Sequence, residues 1–293
     1  MKRGGASLSP RASGERWAAR GAERLAAGLM DSEVMARRVV ITGASSGIGR
    51  ALALRYAHEG ARLGILGRDQ GRLDQVAVEC RKLGADVRSG TIDVRARPEM
   101  RAWLEDFDAV WPVDILIANA GIMAGSPSDG EVELAEASQA VIDTNVIGVL
   151  NSIHPLLPGM ISRGRGQIGI VSSLAGFIPL SDSPSYCASK AAVLSYGLAL
   201  RGAVEGKGVR VSVICPGYVA TPMMAQETGW KPFEMTAEIA ADRALRGLEA
   251  NRAVIAFPAI LAAMSWIGGI LPDRVRRLTA RPFRFTVACR DPP

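Results

Sequence analysis

Residues 39–49 read Val-Val-Ile-Thr-Gly-Ala-Ser-Ser-Gly-Ile-Gly, and this stretch decides how the chain folds. The run Val39–Thr42 predicts a buried strand, and the segment that begins at Ile48 has the composition of a helix. Glycine lets the backbone turn tightly and approach an anion without a Cβ in the way. A helix N-terminus adds free N–H groups that attract phosphate. Although glycine clusters also form ordinary turns, the stretch predicts a pyrophosphate-binding turn made of Gly43, Ser45, Ser46, Gly47, Ile48 and Gly49.

The same alternation of strand and helix continues outward along the chain. Six further apolar runs are found at Leu63–Leu66, Val87–Ile92, Ile115–Ala118, Gly169–Val171, Val209–Ile214 and Val254–Phe257. Segments of helical composition are found at Ile48–His58, Arg72–Leu83, Pro98–Phe107, Ala191–Val204 and Ala237–Ala250. Apolar strands separated by helices are typical of a parallel sheet covered on both faces. We therefore expect a single α/β domain over residues 36–258, a doubly wound, seven-stranded parallel sheet of the Rossmann-like type.

The end of the second predicted strand reads Leu66-Gly67-Arg68-Asp69. A site that prefers NAD usually places an acidic residue at this point to bind the ribose 2′-hydroxyl. Gly67 stands there instead, and the guanidinium of Arg68 offers a fork of donors suited to a 2′-phosphate. A solvated Arg68 paired with Asp69 or Asp74 is the alternative. The stretch favours NADP(H) over NAD(H) as cofactor.

Tyr186 and Lys190 are four residues apart, so on a helix they share one face. A phenol of ordinary pKa, about 10, is a poor base at neutral pH. A neighbouring ammonium and an oxidised nicotinamide would both lower that pKa, which would let Tyr186 exchange a proton with an alcohol or carbonyl oxygen. A surface tyrosine above a lysine gives the same spacing by chance, so the pair needs support from other motifs.

Five motifs in this order resemble the short-chain dehydrogenase/reductase family: Gly43–Gly49, Asn119-Ala120-Gly121, Ser172-Ser173, Tyr186–Lys190 and Pro216-Gly217. The resemblance covers about Arg37 to Phe257 and implies the catalytic residues Asn145, Ser173, Tyr186 and Lys190. It implies that Ser173 binds the substrate oxygen, that Lys190 binds the nicotinamide ribose and that Asn145 anchors a water of the proton relay. For Asn145, a helix-interior side chain bonded to the backbone is the alternative, and Ser172 is interpreted as structural.

The resemblance also implies the remaining cofactor contacts. Asp93 and Val94 would contact the adenine, although an Asp that only caps a strand is the alternative. Asn119 would tie the central strands together, and Pro216, Gly217 and Thr221 would hold the nicotinamide carboxamide. The full set of expected cofactor residues beyond the glycine turn is Arg68, Asp93, Val94, Asn119, Ala120, Gly121, Tyr186, Lys190, Pro216, Gly217, Val219 and Thr221.

The formal charge of +6 is concentrated at the two ends of the chain. Residues 1–38 and 271–293 each carry a net charge of +4, whereas residues 39–270 carry −2. Such a body offers no strong field for a polyanion, so nucleic acid is not expected as a partner. The four cysteines and two histidines form no metal-like cluster in the sequence. We therefore expect no metal site and a reduced, cytoplasmic setting.

The two ends of the chain fall outside the expected domain. Residues 1–35 lack the apolar run of a secretory signal and are interpreted as a disordered or artefactual tail, with targeting as the alternative. Ala259–Leu271 is nearly continuously apolar but too short to span a bilayer, and arginines follow it. For residues 259–293 the alternatives are packing on the domain, a subunit interface and peripheral contact with a membrane surface.

Together these features predict an NADP(H)-dependent oxidoreductase that interconverts a carbonyl and an alcohol, with Tyr186 as general acid/base. A non-catalytic NADP(H)-binding sensor or scaffold is the alternative. Ser173, Tyr186, Ile178 and Met223 are expected to bind the substrate. An apolar small molecule is favoured because the loops expected around it carry little fixed charge: Met123, Leu174, Ile178, Leu180, Tyr218, Met223, Met224, Trp230 and Phe233. The family resemblance favours a homodimer or homotetramer.

Overall fold

The first strand, β1 (Arg38–Thr42), forms in the middle of the sheet because it is apolar on both faces. The computed structural model describes residues 36–128 and 131–287, and in it Val39, Val40 and Ile41 are fully buried. A strand covered on both sides requires a continuous apolar run rather than an alternating one. The turn that follows leads directly into α1 (Gly47–His58).

Strand and helix alternate through the rest of the chain. The first half continues with β2 (Arg62–Gly67), α2 (Gln70–Lys82), β3 (Asp86–Thr91), α3 (Arg97–Val110) and β4 (Ile115–Ala118). Next come α4 (Ala135–Ile142), a π-helical turn (Asp143–Ile147), α5 (Gly148–Ile153), α6 (Leu157–Ser162), β5 (Gly166–Val171), a 3₁₀ turn (Leu174–Gly176), α7 (Pro184–Ala203) and β6 (Val209–Pro216). The last part comprises β7 (Val219–Ala220), a 3₁₀ turn (Met224–Gln226), β8 (Glu227–Thr228), β9 (Met235–Thr236), α8 (Ala237–Glu249), β10 (Val254–Phe257), α9 (Ala259–Ile270), α10 (Asp273–Ala280), a 3₁₀ turn (Arg281–Phe283) and β11 (Thr286–Val287).

The main sheet has seven strands in the order β10-β6-β5-β4-β1-β2-β3, and every neighbouring pair is parallel. This confirms the predicted doubly wound parallel sheet. The strand order reverses between β1 and β4, so the chain leaves these two strands in opposite directions. The gap that this creates at their carboxyl ends is where such sheets bind ligands.

Two apolar cores fill the space between the sheet and its helices. On one face, α1, α2 and α8 pack on the strands through residues such as Leu52, Leu73 and Leu245. On the other face, α3, α5, α6 and α7 do the same, with Phe107 and Val193 fully or almost fully buried. Both faces of the sheet are therefore dry, which is why its strands carry so few polar side chains.

Helices α4, α5 and α6 are not predicted from the sequence, because their apolar residues follow no single helical stripe. The helical region Ala135–Ser162 is long and apolar enough to cross a membrane by length and composition alone. Half of its most apolar window is buried, however, and Val141, Ile153 and Met160 belong to the fully buried residues of the fold. A core helix passes the same test, so this region supports no membrane span.

The chain after β6 adds two small sheets and two helices beside the main sheet. β7 pairs with β9 in parallel, and β8 pairs with β11 in an antiparallel ribbon. Helix α9 packs on the loop after the Leu174–Gly176 turn, since a Cβ on Gly268 would lie 2.5 Å from Ile178 Cδ1. The apolar segment predicted at 259–271 thus packs on the domain with one side.

Candidate active site

A cavity of about 670 Å³ opens at the carboxyl edge of the sheet. The loops that follow β1 to β6 build most of its wall. Parallel strands end at a common edge, so residues distant in sequence meet there. Among the described residues, all of the predicted site residues line this cavity except Gly49 and Asn145.

The turn after β1 exposes its backbone to the cavity because it contains glycine. Gly43 and Gly47 have φ angles of +65° and +53°, which L side chains rarely adopt. A Cβ on Gly43 would lie 2.7 Å from the Cα of Ala120 in the facing loop, and one on Gly47 would lie 3.0 Å from Thr221 Cγ2. The first N–H groups of α1, which have no partner within the helix, begin at this turn. The turn therefore has the room and the donors that a pyrophosphate requires.

Gly49 does not lie on the cavity wall. A Cβ there would be 2.3 Å from the carbonyl oxygen of Gly43 and 2.5 Å from Asn119 Nδ2. Those distances are far below van der Waals contact, so only glycine lets α1 pack this closely against the turn. The structure gives Gly49 a packing role that shapes the turn, and the direct cofactor contact predicted from the sequence stays a prediction.

Asn119 ties the ends of β1 and β4 together. Its side-chain amide donates to the carbonyl oxygens of Thr42 and Gly43, at 2.9 Å and 3.1 Å. In return, Thr42 Oγ1 accepts from the backbone N–H groups of Asn119 and Ala120, both at 3.1 Å. These four bonds fix the loop that faces the glycine turn, as the family resemblance implies.

A corner with two arginines lies where β2 ends. Gly67, Arg68, Asp69 and Arg72 all line the cavity there, and Arg72 Nε lies 3.1 Å from Asp69 Oδ2. A Cβ on Gly67 would lie 3.3 Å from Ser45 Oγ, so this position has little room for an acidic side chain. Arg72, in the first turn of α2, was missed in the sequence because its spacing from Arg68 fits no cofactor motif. The two guanidinium groups and the Ser45 hydroxyl form a corner suited to a phosphate monoester.

Asp93 is held by Arg95 at the neighbouring loop. Arg95 donates from Nη2 at 2.7 Å and from its backbone N–H at 2.9 Å. Burial would raise the pKa of Asp93, but the hydrogen bonds and charge of Arg95 keep it below the ordinary value. Arg68 Nη1 lies 4.0 Å from the same carboxylate, so Arg68 pairs with Asp93 and not with Asp69 or Asp74. The local bonding of Asp93 agrees with the alternative of a structural aspartate, while its place on the wall keeps it within reach of a ligand.

Tyr186, Lys190 and Ser173 converge on one part of the cavity wall. Tyr186 and Lys190 lie one turn apart on α7, and Lys190 Nζ is 5.5 Å from the centre of the Tyr186 ring. Ser173 follows β5, and its side chain is close enough to the Tyr186 phenol to lower the pKa of that group. Lys190 Nζ donates to the carbonyl oxygen of Val171 at 3.0 Å, and Ser172 Oγ donates to the carbonyl oxygen of Lys190 at 2.7 Å. Ser172 therefore holds α7 against β5, in keeping with its structural interpretation.

Burial controls the protonation of this cluster. It raises the pKa of Tyr186 to about 12, against the opposing effect of the Ser173 side chain. It also lowers the pKa of Lys190 to about 8, because an ammonium is disfavoured away from water. The sequence predicts that Lys190 lowers the pKa of Tyr186. The net direction for the protein without ligand is the opposite, since desolvation is the largest influence on the phenol.

Asn145 lies behind the cavity wall, in the π-helical turn. Its Oδ1 accepts from the backbone N–H of Ile122 at 2.8 Å, and its Nδ2 donates to the carbonyl oxygen of Ile122 at 2.9 Å and to Ser189 Oγ at 3.0 Å. Both the oxygen and the nitrogen of the Asn145 amide are therefore hydrogen-bonded within the protein. This agrees with the alternative given for Asn145, a helix-interior side chain bonded to the backbone. Its neighbour Thr144 does line the cavity, and Thr144 Oγ1 is buried without a hydrogen-bond partner in the described structure.

Apolar side chains form the wall beyond Tyr186. Of the loop residues expected there from the sequence, seven line the cavity: Met123, Leu174, Ile178, Leu180, Tyr218, Met223 and Met224. Trp230 and Phe233 do not, and they are 61% and 55% exposed. Phe233 adopts a positive φ of 58°, and Trp230 stacks on the ring of Phe283 at 5.4 Å. That prediction was wrong for these two residues because the chain turns outward after β8.

The C-terminal elements complete this wall, which the sequence did not predict. The residues they contribute are Leu261, Met264, Ser265, Ile267, Gly268, Leu271, Phe283 and Phe285. Glu227 of β8 also lines the cavity and was missed. The signal was present in the uninterrupted apolar stretch 259–271, but such a stretch is compatible with a core, an interface or a membrane, so only the structure assigns it to the cavity.

Within the part of the chain that the structure describes, no group of three or more His, Cys, Asp or Glu side chains could hold a metal ion. Cys80, Cys187 and Cys215 are free and buried, and burial raises the pKa of each. Cys289 and residues 1–35 lie outside the described residues.

Residues 37–232 match the protein family described as short chain dehydrogenase. The chain is 34% identical over 254 residues to an uncharacterized oxidoreductase of Myxococcus xanthus, an alignment that covers 86% of this chain and all of that protein. It superposes on an actinorhodin polyketide ketoreductase variant with NADPH, with a TM-score of 0.68, 27% identity and coverage of 75% of this chain and 94% of the other. A short-chain dehydrogenase from Mycobacterium paratuberculosis bound to NAD gives a TM-score of 0.66, 27% identity and the same two coverages.

Proposed function

Because this chain belongs to the short-chain dehydrogenase family of oxidoreductases, we propose that it is an NADP(H)-dependent reductase of an apolar carbonyl compound. The observation that carries the proposal is the geometry of one cavity. A glycine turn and a two-arginine corner occupy one part of its wall, and the Tyr186–Lys190–Ser173 cluster occupies another. The proposal assigns the first part to the cofactor and the second to the reacting oxygen.

The cofactor preference rests on the corner formed by Gly67, Arg68 and Arg72. The structural relatives include one protein with NADPH and one with NAD, so the local chemistry has to decide. The 2′-phosphate of NADP(H) would bind the two guanidinium groups in place of water. The 2′-hydroxyl of NAD(H) would find no carboxylate at position 67 to bind it. Arg68 and Arg72 would hold the phosphate, and the turn Gly43–Ile48 would hold the pyrophosphate.

The proposed reaction uses the side chains of α7 and the loop after β5. The reduced nicotinamide supplies a hydride when it is bound. Tyr186 and Ser173 donate hydrogen bonds to the carbonyl oxygen of the substrate, and Tyr186 gives its proton to that oxygen as the alcohol forms. A phenol with a pKa near 12 holds its proton at neutral pH, so the site as described is prepared for reduction. The charge of Lys190 stabilises the phenolate that remains.

We expect Asn145 to act through its neighbours. It fixes Ser189, which in turn donates to the carbonyl oxygen of Tyr186 at 2.8 Å. These bonds orient the first turn of α7. The water-anchoring role that the family resemblance implies for Asn145 stays a prediction.

The experiment that tests the proposal is a fluorescence titration with NADPH and NADH. For the wild-type protein we expect NADPH to bind at least tenfold more tightly, and for Arg68→Ala we expect that preference to shrink by about tenfold, since hydrogen bonds to charged groups contribute about 1.5–3 kcal/mol. Arg101→Ala, which removes an exposed guanidinium that pairs with Glu105 on α3, is the matched control. Equal binding of NADH, unaffected by Arg68→Ala, would contradict the cofactor assignment.

A carbonyl-substrate screen then separates an enzyme from the alternative of a sensor or scaffold. Apolar ketones and aldehydes are offered with NADPH, and Tyr186→Phe serves as the inactive control because it removes only the phenolic hydroxyl. Reduction by the wild type and a loss of at least a hundredfold in the variant are expected. Tight NADPH binding with no turnover of any carbonyl would favour the sensor or scaffold.

We further propose a cytoplasmic protein that assembles as a homodimer or homotetramer and whose C-terminal helices contact a membrane surface. What supports membrane contact is the outer side of α9, where Ile260, Trp266, Ile267 and Ile270 are each at least half exposed. Exposed Arg274 and Arg277 follow on α10 and would face anionic headgroups.

A further inference from the structure

Glu227 is the feature of the cavity that the proposed reaction does not use. This residue begins β8, where it pairs with Val287 of β11, and only 6% of its surface is exposed. It lines the cavity, yet no hydrogen bond or ion pair to its carboxylate is found among the described residues. A carboxylate that is buried without a partner costs much free energy, so a residue of this kind requires an explanation.

No basic side chain nearby supplies that partner. Lys231, the closest lysine in sequence, donates from Nζ to the carbonyl oxygen of Met224 at 2.8 Å, and its charge offsets only part of the rise in the pKa of Glu227 that burial causes. Lys190 is bonded to Val171, and Arg68 and Arg72 lie at the corner proposed for the 2′-phosphate. The carboxylate therefore faces a volume that a ligand would fill.

The surroundings of that volume are apolar. Met223, Leu261 and Phe285 lie on the same wall, together with Ile178 and Leu180. An anionic substrate would be repelled by Glu227 and would find no basic group on this part of the wall. A fully apolar substrate would leave the carboxylate without a partner and would favour its protonated form. An ammonium group is the complement that satisfies both the charge and the hydrogen-bonding capacity of the carboxylate.

We propose that Glu227 is a specificity-determining residue that binds a protonated amine on an otherwise apolar carbonyl substrate. The inference rests on the proposed function only for the location of the reacting oxygen near Tyr186. Glu227 is close enough to the reacting groups for its charge to contribute to the raised pKa values of Tyr186 and Tyr218. An ammonium bound there would weaken that effect, so substrate binding would make Tyr186 a stronger acid.

The test uses unreactive probes, so that it does not depend on turnover. Binding of 4-phenylbutylamine, 4-phenylbutanol and 4-phenylbutanoate to the full chain is measured by calorimetry, with and without saturating NADPH. We expect the amine to bind about tenfold or more tightly than the alcohol, and the carboxylate to bind most weakly. Glu227→Gln should abolish the preference for the amine over the alcohol.

Glu205→Gln is the matched control, because Glu205 is exposed just after α7 and does not line the cavity. It should keep the preference of the wild type. A second variant, Glu227→Leu, should bind the alcohol at least as tightly as the wild type does, since it removes the desolvated carboxylate. Equal binding of amine and alcohol by the wild type, or a preference that survives in Glu227→Gln, would overturn the inference.

Proton linkage gives an independent readout. Burial raises the pKa of Glu227 to about 7, and the titratable groups that face it are Tyr186, Tyr218, Lys231 and Glu234. Because the amine requires the ionised carboxylate, its affinity should rise between pH 6 and pH 8 in the wild type and stay flat in Glu227→Gln. A flat wild-type profile would contradict the inference. A failure of NADPH to bind would contradict the proposed function, while the titrations without cofactor would still test Glu227.

Discussion

Lys190 shows how burial sets the working range of a single residue. Only 4% of its surface is exposed, and its pKa falls to about 8. Its charged form therefore dominates below about pH 8, and the neutral amine dominates above that value. The ammonium is the form that stabilises the phenolate left on Tyr186 after proton donation.

We therefore expect kcat/KM for the reduction of a carbonyl substrate without an amine to fall as the pH rises through about 8. This ratio reports the ionisation of the free enzyme, which is the form described here. The measurement is a pH–rate profile from pH 6 to pH 10 at limiting substrate concentration, with NADPH affinity determined at each pH as the control. A rate that is constant across this range, or that rises above pH 8, would show that Lys190 does not control the step.

Single residues also show where sequence analysis succeeds and where it stops. The turn Gly43–Gly49 and the pair Tyr186–Lys190 were located from spacing, because backbone conformation and helix geometry fix what those spacings can do. Spacing could not show that Gly49 supports the turn from behind, since that depends on a carbonyl oxygen 2.3 Å from where its Cβ would lie. Glu227 gave no signal at all, because an acidic residue in a loop is ordinary until its burial is known.

At the scale of elements, the ribbon of β8 and β11 joins the substrate wall to the C-terminal segment. Asp182 holds this segment in place: it is 4% exposed and accepts from Arg284 Nη2 at 2.9 Å and from the backbone N–H of Phe285 at 3.2 Å. The backbone N–H of Val287 also donates to the carbonyl oxygen of Ser126 at 3.0 Å. The ribbon is thus anchored to the loop between β4 and α4 and to the loop before α7.

We expect Asp182→Ala to loosen this ribbon, because it removes the buried carboxylate that accepts from the Phe285 N–H and from the Arg284 guanidinium. A lost hydrogen bond to a charged group costs about 1.5–3 kcal/mol, which would raise KM for the carbonyl substrate by roughly tenfold or more. The dissociation constant of NADPH should change less than about twofold, since the cofactor wall is built by other elements. Steady-state kinetics and fluorescence titration measure the two constants.

Asp273→Ala is the control for this prediction, since Asp273 also pairs with arginines but lies exposed on α10. It should leave both constants unchanged. If Asp182→Ala weakens NADPH binding as much as substrate binding, the ribbon supports the whole fold and not the substrate wall in particular.

The elements of the sheet could be predicted well, because a buried parallel strand leaves a continuous apolar run bounded by turn residues. The observed strands extend the predicted ones by up to three residues, as in β5, which begins at Gly166 instead of Gly169. The short strands β7, β8, β9 and β11 could not be predicted, because two residues carry no periodic signal. Their pairing is decided by the loops that bring them together.

At the scale of the whole molecule, the described residues include an uncovered apolar surface on α9 and α10. The outer side of α9 exposes Trp266 and Ile270 at 61% and 68%, and Leu278 of α10 is 60% exposed. Contiguous apolar surface of this kind marks an interaction site. Removing the segment by truncation at Phe257 would also open the cavity, so point substitutions are the better probe.

We expect the double variant Trp266→Ser, Ile270→Ser to lose binding to vesicles that contain 30% phosphatidylglycerol, where the wild type sediments with them. Each apolar side chain contributes about 1.5–3 kcal/mol when it leaves water, so two together should lower partitioning at least a hundredfold. Neither side chain lines the cavity, so NADPH binding serves as the control for folding. The alternative is that this surface of α9 is a subunit interface, and light scattering of both proteins tests it. A double variant that forms a smaller assembly but sediments with the vesicles as the wild type does would identify a subunit interface.

The division of the cavity wall has a further consequence for how such a protein can diversify. The match to the family ends at residue 232, after the glycine turn, the arginine corner and the Tyr186 cluster, whereas Leu261, Met264, Phe283 and Phe285 come later in the chain. Part of the substrate wall is therefore carried by a stretch outside the family match, whereas Ile178, Met223 and Glu227 belong to the matching stretch. Exchange of residues 259–287 between relatives would alter the fit of a substrate without replacing the residues proposed to move hydride and proton.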